Sequence, residues 1–182
     1  MYLNCHSYHS LRYGTIPLKE LVEYAVLNGI KAMALTDINT VTGIYDFIRA
    51  CDKVGIKPLV GMEFRCNHQF RYIGLAKNAE GLGEMNRFLT DHNFSGEALP
   101  LIAPEFESVF VIYTLENAPK TLRENEFIGI RTDEVPKLFT SEHKNKISKM
   151  VVLQPVTFRN KKEFNLHKIL RAIDTNIILS KL

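Results

Sequence analysis

An α/β fold is predicted for this 182-residue chain by three features of its sequence. Short apolar runs alternate with segments in which apolar residues recur every three or four positions, the patterns of buried strands and of one-sided helices. Gly29 and Gly55 stand directly after two helical segments, where helices commonly stop. The intervening segments are long enough to connect parallel strands. Both a barrel and an open doubly wound sheet fit this order of elements.

The first half of the chain holds the clearest elements. Pro17 suits the start of a helix, because its fixed φ angle is helical and its missing N–H is not needed there. We expect helices between Pro17 and Gly29 and between Gly43 and Gly55. Strands are expected over 1–5, 32–35 and 57–64, with 71–76 returning as a hairpin.

The second half has shorter connections, some with room for only one helical turn. A helix is expected over 83–92 and a closing helix over 162–174. Three more strands are predicted by the runs SVFVIYT, NEFIGIR and KMVVLQPV, which brings the predicted total to about seven.

Composition is that of an ordinary globular protein, with 46% hydrophobic and 24% charged residues and a net charge of +3. The mild positive charge permits a nucleic-acid partner but does not indicate one, because the basic stretches SEHKNKISK and FRNKKEF fit a solvated surface equally well.

The sequence has three cysteines without CxxC spacing, and it has no secretory or membrane-spanning segment. This pattern favours a soluble cytoplasmic protein with reduced thiols and no membrane partner.

Three polar residues lie at the ends of the first three predicted strands: His6, Asp37 and Glu63. Imidazole and carboxylates at strand ends suit zinc, manganese or iron, which activate water for hydrolysis. Each residue also has a structural interpretation: His6 as a loop residue bonded to backbone, Asp37 as a turn or N-cap residue, and Glu63 as a solvated acid. A Cys5–His6 catalytic pair is excluded, because neighbours in a strand point to opposite faces.

The same segments resemble a known family. HSYHSLRYG, followed by KELVEYAVLNGIKAMALTDINTVTGIYDFIRACDKVGIKPLVGMEF, is similar to the PHP (polymerase and histidinol phosphatase) domain at the N-terminus of bacterial DNA polymerase III alpha subunits. LAKNAEGLGEMNRFL and MVVLQPVTFRNKKEFNLHKILRAI resemble later parts of that domain. The resemblance implies a distorted seven-stranded (β/α) barrel of PHP type, shortened in its second half.

Departures from the family pattern fall at its metal ligands. In metal-binding members the first strand ends in two ligand histidines, whereas this chain has Asn4 and His6 there; Ile38 replaces the histidine of Thr-Asp-His. In the last strand Pro155 and Thr157 replace an aspartate and a histidine. Glu63 matches a ligand glutamate and Asp37 a supporting acid. The resemblance therefore implies a degenerate site without an intact metal cluster, since catalytic zinc needs at least three protein ligands.

Three functions stay open. The first is a non-catalytic PHP domain of a DNA polymerase III alpha subunit, with residues 1–182 excised from a longer nucleotidyltransferase chain. Its partners would be the rest of that polymerase, and primer-template DNA or a proofreading exonuclease. The second is a phosphoesterase or 3'-5' exonuclease with a reduced site, which alone would need zinc or manganese. The third is a stand-alone module that binds an anion through His6, His9 and Arg12.

Overall fold

Eight β-strands and five α-helices make up the chain in the computed structural model, which describes residues 1–182. The strands are β1 (Tyr2–Cys5), β2 (Ala32–Leu35), β3 (Lys57–Cys66), β4 (Gln69–Ala76), β5 (Val109–Thr114), β6 (Glu126–Ile130), β7 (Met150–Val152) and β8 (Pro155–Val156). The helices are α1 (Leu18–Leu27), α2 (Ile44–Val54), α3 (Ala79–Ser95), α4 (Val135–Leu138) and α5 (Lys161–Thr175). The predicted α/β class is confirmed.

The predicted count of seven strands is wrong by one. The run KMVVLQPV forms two short strands, because β7 pairs with β6 whereas β8 pairs with β1. Leu153 and Gln154 connect them, and the amide of Leu153 still donates to the carbonyl of Ile130 (3.0 Å). A single apolar run in the sequence therefore forms two strands that pair with two different strands, β6 and β1.

Two compact units divide the chain. The first comprises 1–59 and 155–182, and the second comprises 60–154. The second unit is thus inserted into the sequence of the first. The barrel form implied by the family resemblance stays a prediction.

The first unit contains a parallel sheet in which β1 lies between β2 and β8. The two helices that follow β1 and β2 each bury one apolar stripe. The stripe of α1 consists of Leu18, Leu21, Val22 and Ala25, and that of α2 includes Ile44, Phe47 and Cys51. Helix α2 ends as predicted at Gly55, whose φ of 71° suits a residue without a side chain. Pro17 is the residue before α1 rather than its first helical residue.

The second unit contains the sheet order β3-β4-β5-β6-β7. The first two pairings are antiparallel and the last two are parallel. Asn67 and His68 form the predicted hairpin turn with positive φ angles of 48° and 67°, which match the twist of paired strands. Helix α3 is longer than predicted and buries Met85 and Leu89. None of the helices is both long and apolar enough to cross a membrane.

Candidate functional site

The carboxyl end of β1 places two predicted site residues in the interior of the first unit. His6 is fully buried and Asn4 is 3% exposed. Because β8 runs parallel beside β1, Asn4 lies opposite Pro155, and the amide of His6 donates to the carbonyl of Val156 (2.8 Å). Three of the predicted positions are therefore neighbours in space.

The ring of His6 contacts a hydroxyl group that lies directly after β8. Its Nδ1 lies 3.0 Å from Oγ1 of Thr157, which is 7% exposed. The backbone around Thr157 is fixed in turn, because the hydroxyl of Thr15 donates to its carbonyl (3.1 Å). His6 thus contacts Thr157, which stands where the family pattern has a histidine in its last strand.

Asn4 forms a second buried hydrogen-bonded pair. The hydroxyl of Thr36 donates to Oδ1 of Asn4 at 3.0 Å, and both side chains are buried. Thr36 follows β2 directly, and its amide donates to the carbonyl of Cys5 (2.9 Å), which sets the two strand ends in register. This contact links the ends of β1 and β2 without any charged group.

Asp37 lies at the end of β2 and is 2% exposed. Its Oδ1 accepts from the amide of Ser7 (2.7 Å) and from the hydroxyl of Ser10 (2.6 Å), and its Oδ2 accepts from the hydroxyl of Ser7 (2.7 Å). The amide of Ile38 donates to the same Ser10 hydroxyl (3.0 Å). Buried carboxylates need such donors, since a charge without them is costly in the interior. Asp37 therefore fastens the loop after β1 to the end of β2.

Cys5 is 1% exposed and is no candidate ligand or nucleophile. Burial, and to a lesser extent the negative charge of Asp37, raises the pKa of its thiol to about 12. A thiol in this state stays protonated near neutral pH, whereas metals and electrophiles need the thiolate.

Glu63 belongs to the second unit, where it lies in β3 opposite Ile73 and is 1% exposed. The solvated-acid interpretation is therefore wrong. Arg65, two residues further along β3, donates from Nε to Oε1 of Glu63. Residues two apart in a strand share a face, so the local sequence supplies the counter-charge for this buried acid.

His9 and Arg12 lie in the loop after β1, outside the buried polar groups. The ring of His9 stacks on Tyr8 with 4.4 Å between centroids, and a Cβ on Gly43 would come within 2.6 Å of it. The guanidinium of Arg12 lies 3.6 Å from a carboxylate oxygen of Asp174. These residues have structural contacts within the first unit.

The polar side chains at the strand ends of the first unit are hydrogen-bonded to one another. No group of three or more His, Cys, Asp or Glu side chains is placed to hold an ion. Both oxygens of Asp37 accept hydrogen bonds, Oδ1 from the Ser7 amide and the Ser10 hydroxyl and Oδ2 from the Ser7 hydroxyl. Ile38 and Pro155 carry no ligand atoms in their side chains.

Sequence reasoning missed the hydroxyl groups that organise the site: Ser7, Ser10 and Thr36. Their signal was present in the clustering of serines in HSYHS and in the Thr-Asp pair after β2. It was not interpretable alone, because serine and threonine bond local backbone in most loops.

Comparison with known proteins places the chain in a family. Residues 3–119 match the profile of the PHP domain, and the chain belongs to this family. The resemblance noted from the sequence is thereby confirmed.

Two curated relatives are bacterial DNA polymerases. An error-prone DNA polymerase of Symbiobacterium thermophilum is 34% identical over 90 residues, which are 50% of this chain and 8% of that protein. The DNA polymerase III subunit alpha of Chlamydia muridarum is 41% identical over 61 residues, 34% of this chain and 5% of that protein. The matched segments thus span less than a tenth of these relatives' length.

Among solved structures, a candidate metal-dependent phosphoesterase from Bifidobacterium adolescentis is 18% identical, with a TM-score of 0.41. The match covers 51% of this chain and 32% of that one. At this distance the likeness carries no argument about function.

Proposed function

We propose that this chain is the PHP domain of a DNA polymerase III alpha-type replicative polymerase, and that it acts structurally rather than as a hydrolase. Its partner is the remaining part of such a polymerase, with primer-template DNA or a proofreading exonuclease as further contacts. The two polymerase relatives support the affiliation. Residues 1–182 would then act as one domain of a cytoplasmic DNA-directed DNA polymerase.

The observation that carries the structural role is the hydrogen-bonded closure of the strand ends. Asp37 accepts three hydrogen bonds from Ser7 and Ser10, while Asn4 and His6 pair with threonine hydroxyls. In a site built for a metal, charged ligands would lie close together and need the ion for compensation. These hydrogen-bonded pairs and the hydrogen-bonded carboxylate of Asp37 hold the fold without one. The proposal therefore includes a degenerate metal site and no resident cofactor.

Metal analysis tests this directly. The chain is purified without chelators, incubated with Zn²⁺ or Mn²⁺, desalted and measured by elemental mass spectrometry. We expect substoichiometric metal that His6→Ala does not change. His68→Ala, in the exposed β3–β4 turn, is the control for adventitious surface binding. Stoichiometric metal that disappears in His6→Ala, but not in His68→Ala, would overturn the proposal.

Activity assays separate the alternatives. Phosphatase and 3'-5' exonuclease activities are measured with added manganese in the wild-type chain, His6→Ala and Glu63→Ala. We expect any trace activity to be equal in all three, as for a contaminant. A loss confined to the variants would favour the reduced-site hydrolase. Binding of inorganic phosphate that Arg12→Ala abolishes would favour the anion-binding module.

A further inference from the structure

Helix α5 carries apolar side chains on its outward side. None of its 15 residues is buried. Leu166, Ile169 and Ile173 are 46%, 46% and 61% exposed, and their spacing of three and four places them in one row, here called the α5 stripe. A surface helix normally turns such a row toward the core.

The polar side of α5 holds the helix to its unit instead. His167 Nδ1 lies 2.7 Å from the carbonyl of Tyr13, and the two rings meet edge-on with centroids 4.7 Å apart. The guanidinium of Arg171 lies over the same ring at 5.3 Å, and Asp174 pairs with Arg12. Three polar residues on one side of α5 therefore fix its orientation and leave the α5 stripe facing outward.

The exposed apolar surface continues beyond the helix. Ile177, Ile178 and Leu179 are 40%, 63% and 46% exposed. Scattered exposed apolar residues are normal on any protein, whereas a contiguous patch of them marks an interaction site. The surface of the first unit thus indicates a partner that covers α5.

Charge along α5 indicates the kind of partner. Lys161 and Lys162 are exposed at the N-terminal end, where positive charge opposes the helix dipole. Both acids of α5 are already engaged, Glu163 with Arg159 and Asp174 with arginines. The last turn of α5 has no basic residue. The helix therefore has surplus positive charge at its N-terminal end and no cation in the last turn at its C-terminal end.

We propose that the α5 stripe binds a second copy of this chain in an antiparallel helix pair. A twofold axis through Ile169 places Leu166 of each copy against Ile173 of the other, so that one stripe matches itself. The same arrangement puts each Lys162 beside the C-terminal end of the other α5, where a cation is favourable. An interface of this form is isologous and closed.

Analytical ultracentrifugation of the 182-residue chain from low to high micromolar concentration tests the pairing. We expect a reversible monomer–dimer equilibrium, and a dissociation constant at least about tenfold higher for Ile173→Glu, since that variant buries an unpaired carboxylate. The control is Leu27→Glu on α1, where Leu27 is 82% exposed, and it should behave as wild type. Lys162→Glu should weaken the dimer a few-fold.

Cross-linking gives a second readout that does not depend on affinity. Ile169→Cys, in a Cys66→Ser background, should form a disulfide-linked dimer under mild oxidation because the two sulfurs meet on the axis. Leu27→Cys in the same background should not. A monomer at every concentration, a dimer insensitive to Ile173→Glu, or equal cross-linking of both cysteine variants would overturn the pairing and leave the polymerase-domain proposal untouched.

Discussion

Serine and threonine hydroxyl groups form hydrogen bonds with the polar side chains buried in the first unit. Ser7 and Ser10 together supply three donors to Asp37, and Thr36 and Thr157 each supply a partner to a buried side chain. A hydroxyl can donate one bond and still accept others, as Ser10 does when it donates to Asp37 and accepts from the amide of Ile38. A small set of serines and threonines can thereby connect two strand ends and a loop.

Replacing Asp37 tests how much this network stabilises the fold. Asp37→Ala leaves the Ser7 amide and two hydroxyls without their acceptor, so we expect a loss of about 3 kcal/mol in the free energy of unfolding. Urea denaturation followed by circular dichroism measures it. Glu23→Ala on α1 is the control, because Glu23 is exposed and pairs only with Lys19, and it should change stability by less than about 0.5 kcal/mol. Equal effects would contradict the role of Asp37.

For single residues, the sequence showed which positions depart from the family's metal-ligand pattern. Asn4, Ile38, Pro155 and Thr157 could be recognised by their departure from a family pattern, and three of them do lie together beside β1 and β8. The bond between Thr36 and Asn4 could not be predicted, because it depends on the register between two strands. Glu63 and Arg65 are two residues apart in the sequence, but the sequence does not show that the pair is buried.

At the scale of elements, the loop between β1 and α1 is set by a close backbone approach. A Cβ on Gly14 would lie 1.8 Å from the carbonyl oxygen of Ser7. The amide of Gly14 donates to the carbonyl of Ser10 (2.8 Å), which closes the loop on itself. Glycine is thus required there for space, and the loop's shape in turn aims Ser7 and Ser10 at Asp37.

Two glycine substitutions separate space from backbone conformation. Gly14→Ala must displace the loop backbone, so we expect a loss of more than about 2 kcal/mol, because the donors to Asp37 shift with it. The Cβ added by Gly29→Ala would meet no atom within 4 Å, and its φ of 66° is unfavourable for a residue with a side chain. We therefore expect a loss of only about 1 kcal/mol in the free energy of unfolding. Thermal unfolding of both variants compares them. A smaller effect at Gly14 than at Gly29 would contradict the close approach.

Element positions were largely predictable, but element orientations were not. Gly55 and the apolar stripe of α2 predicted that helix within a residue or so, since a strong period and a stop signal agreed. For α5 the period was also visible, yet it did not reveal which side faces inward, because His167, Arg171 and Asp174 share the opposite side. The interruption between β7 and β8 at Gln154 was not predictable for a similar reason, since an apolar run does not show which strand it pairs with.

For the molecule as a whole, buried ionisable groups limit the pH range of stability. Burial raises the pKa of the Cys5 thiol to about 12 and, together with the charge of Asp52, that of Cys51 to about 11. On the acid side, hydrogen bonds from Arg159 hold the pKa of Glu163 below its ordinary value. The folded state therefore favours neutral thiols and an ionised Glu163.

Stability should consequently fall at both ends of the pH scale. Above the ordinary thiol value of 9.0, the unfolded chain releases protons that the folded chain retains, so stability decreases as pH rises from about 9 toward 12. As pH falls below the ordinary carboxyl range, Glu163 is protonated first in the unfolded chain and its contribution is lost. Urea midpoints across pH measure both slopes. Cys5→Ala with Cys51→Ala should flatten the alkaline slope; an unchanged slope would contradict the assignment.

The insertion of one unit within the sequence of the other has a consequence for the order of folding. The bond between His6 and Thr157 spans 151 positions, and closing so long a loop has a large entropic cost until the intervening chain is compact. As the chain leaves the ribosome, residues 60–154 can fold before 155–182 exist. We therefore expect β1 to remain paired only with β2 until synthesis reaches β8 at Pro155–Val156, so that the buried polar groups assemble after residues 60–154 have been made.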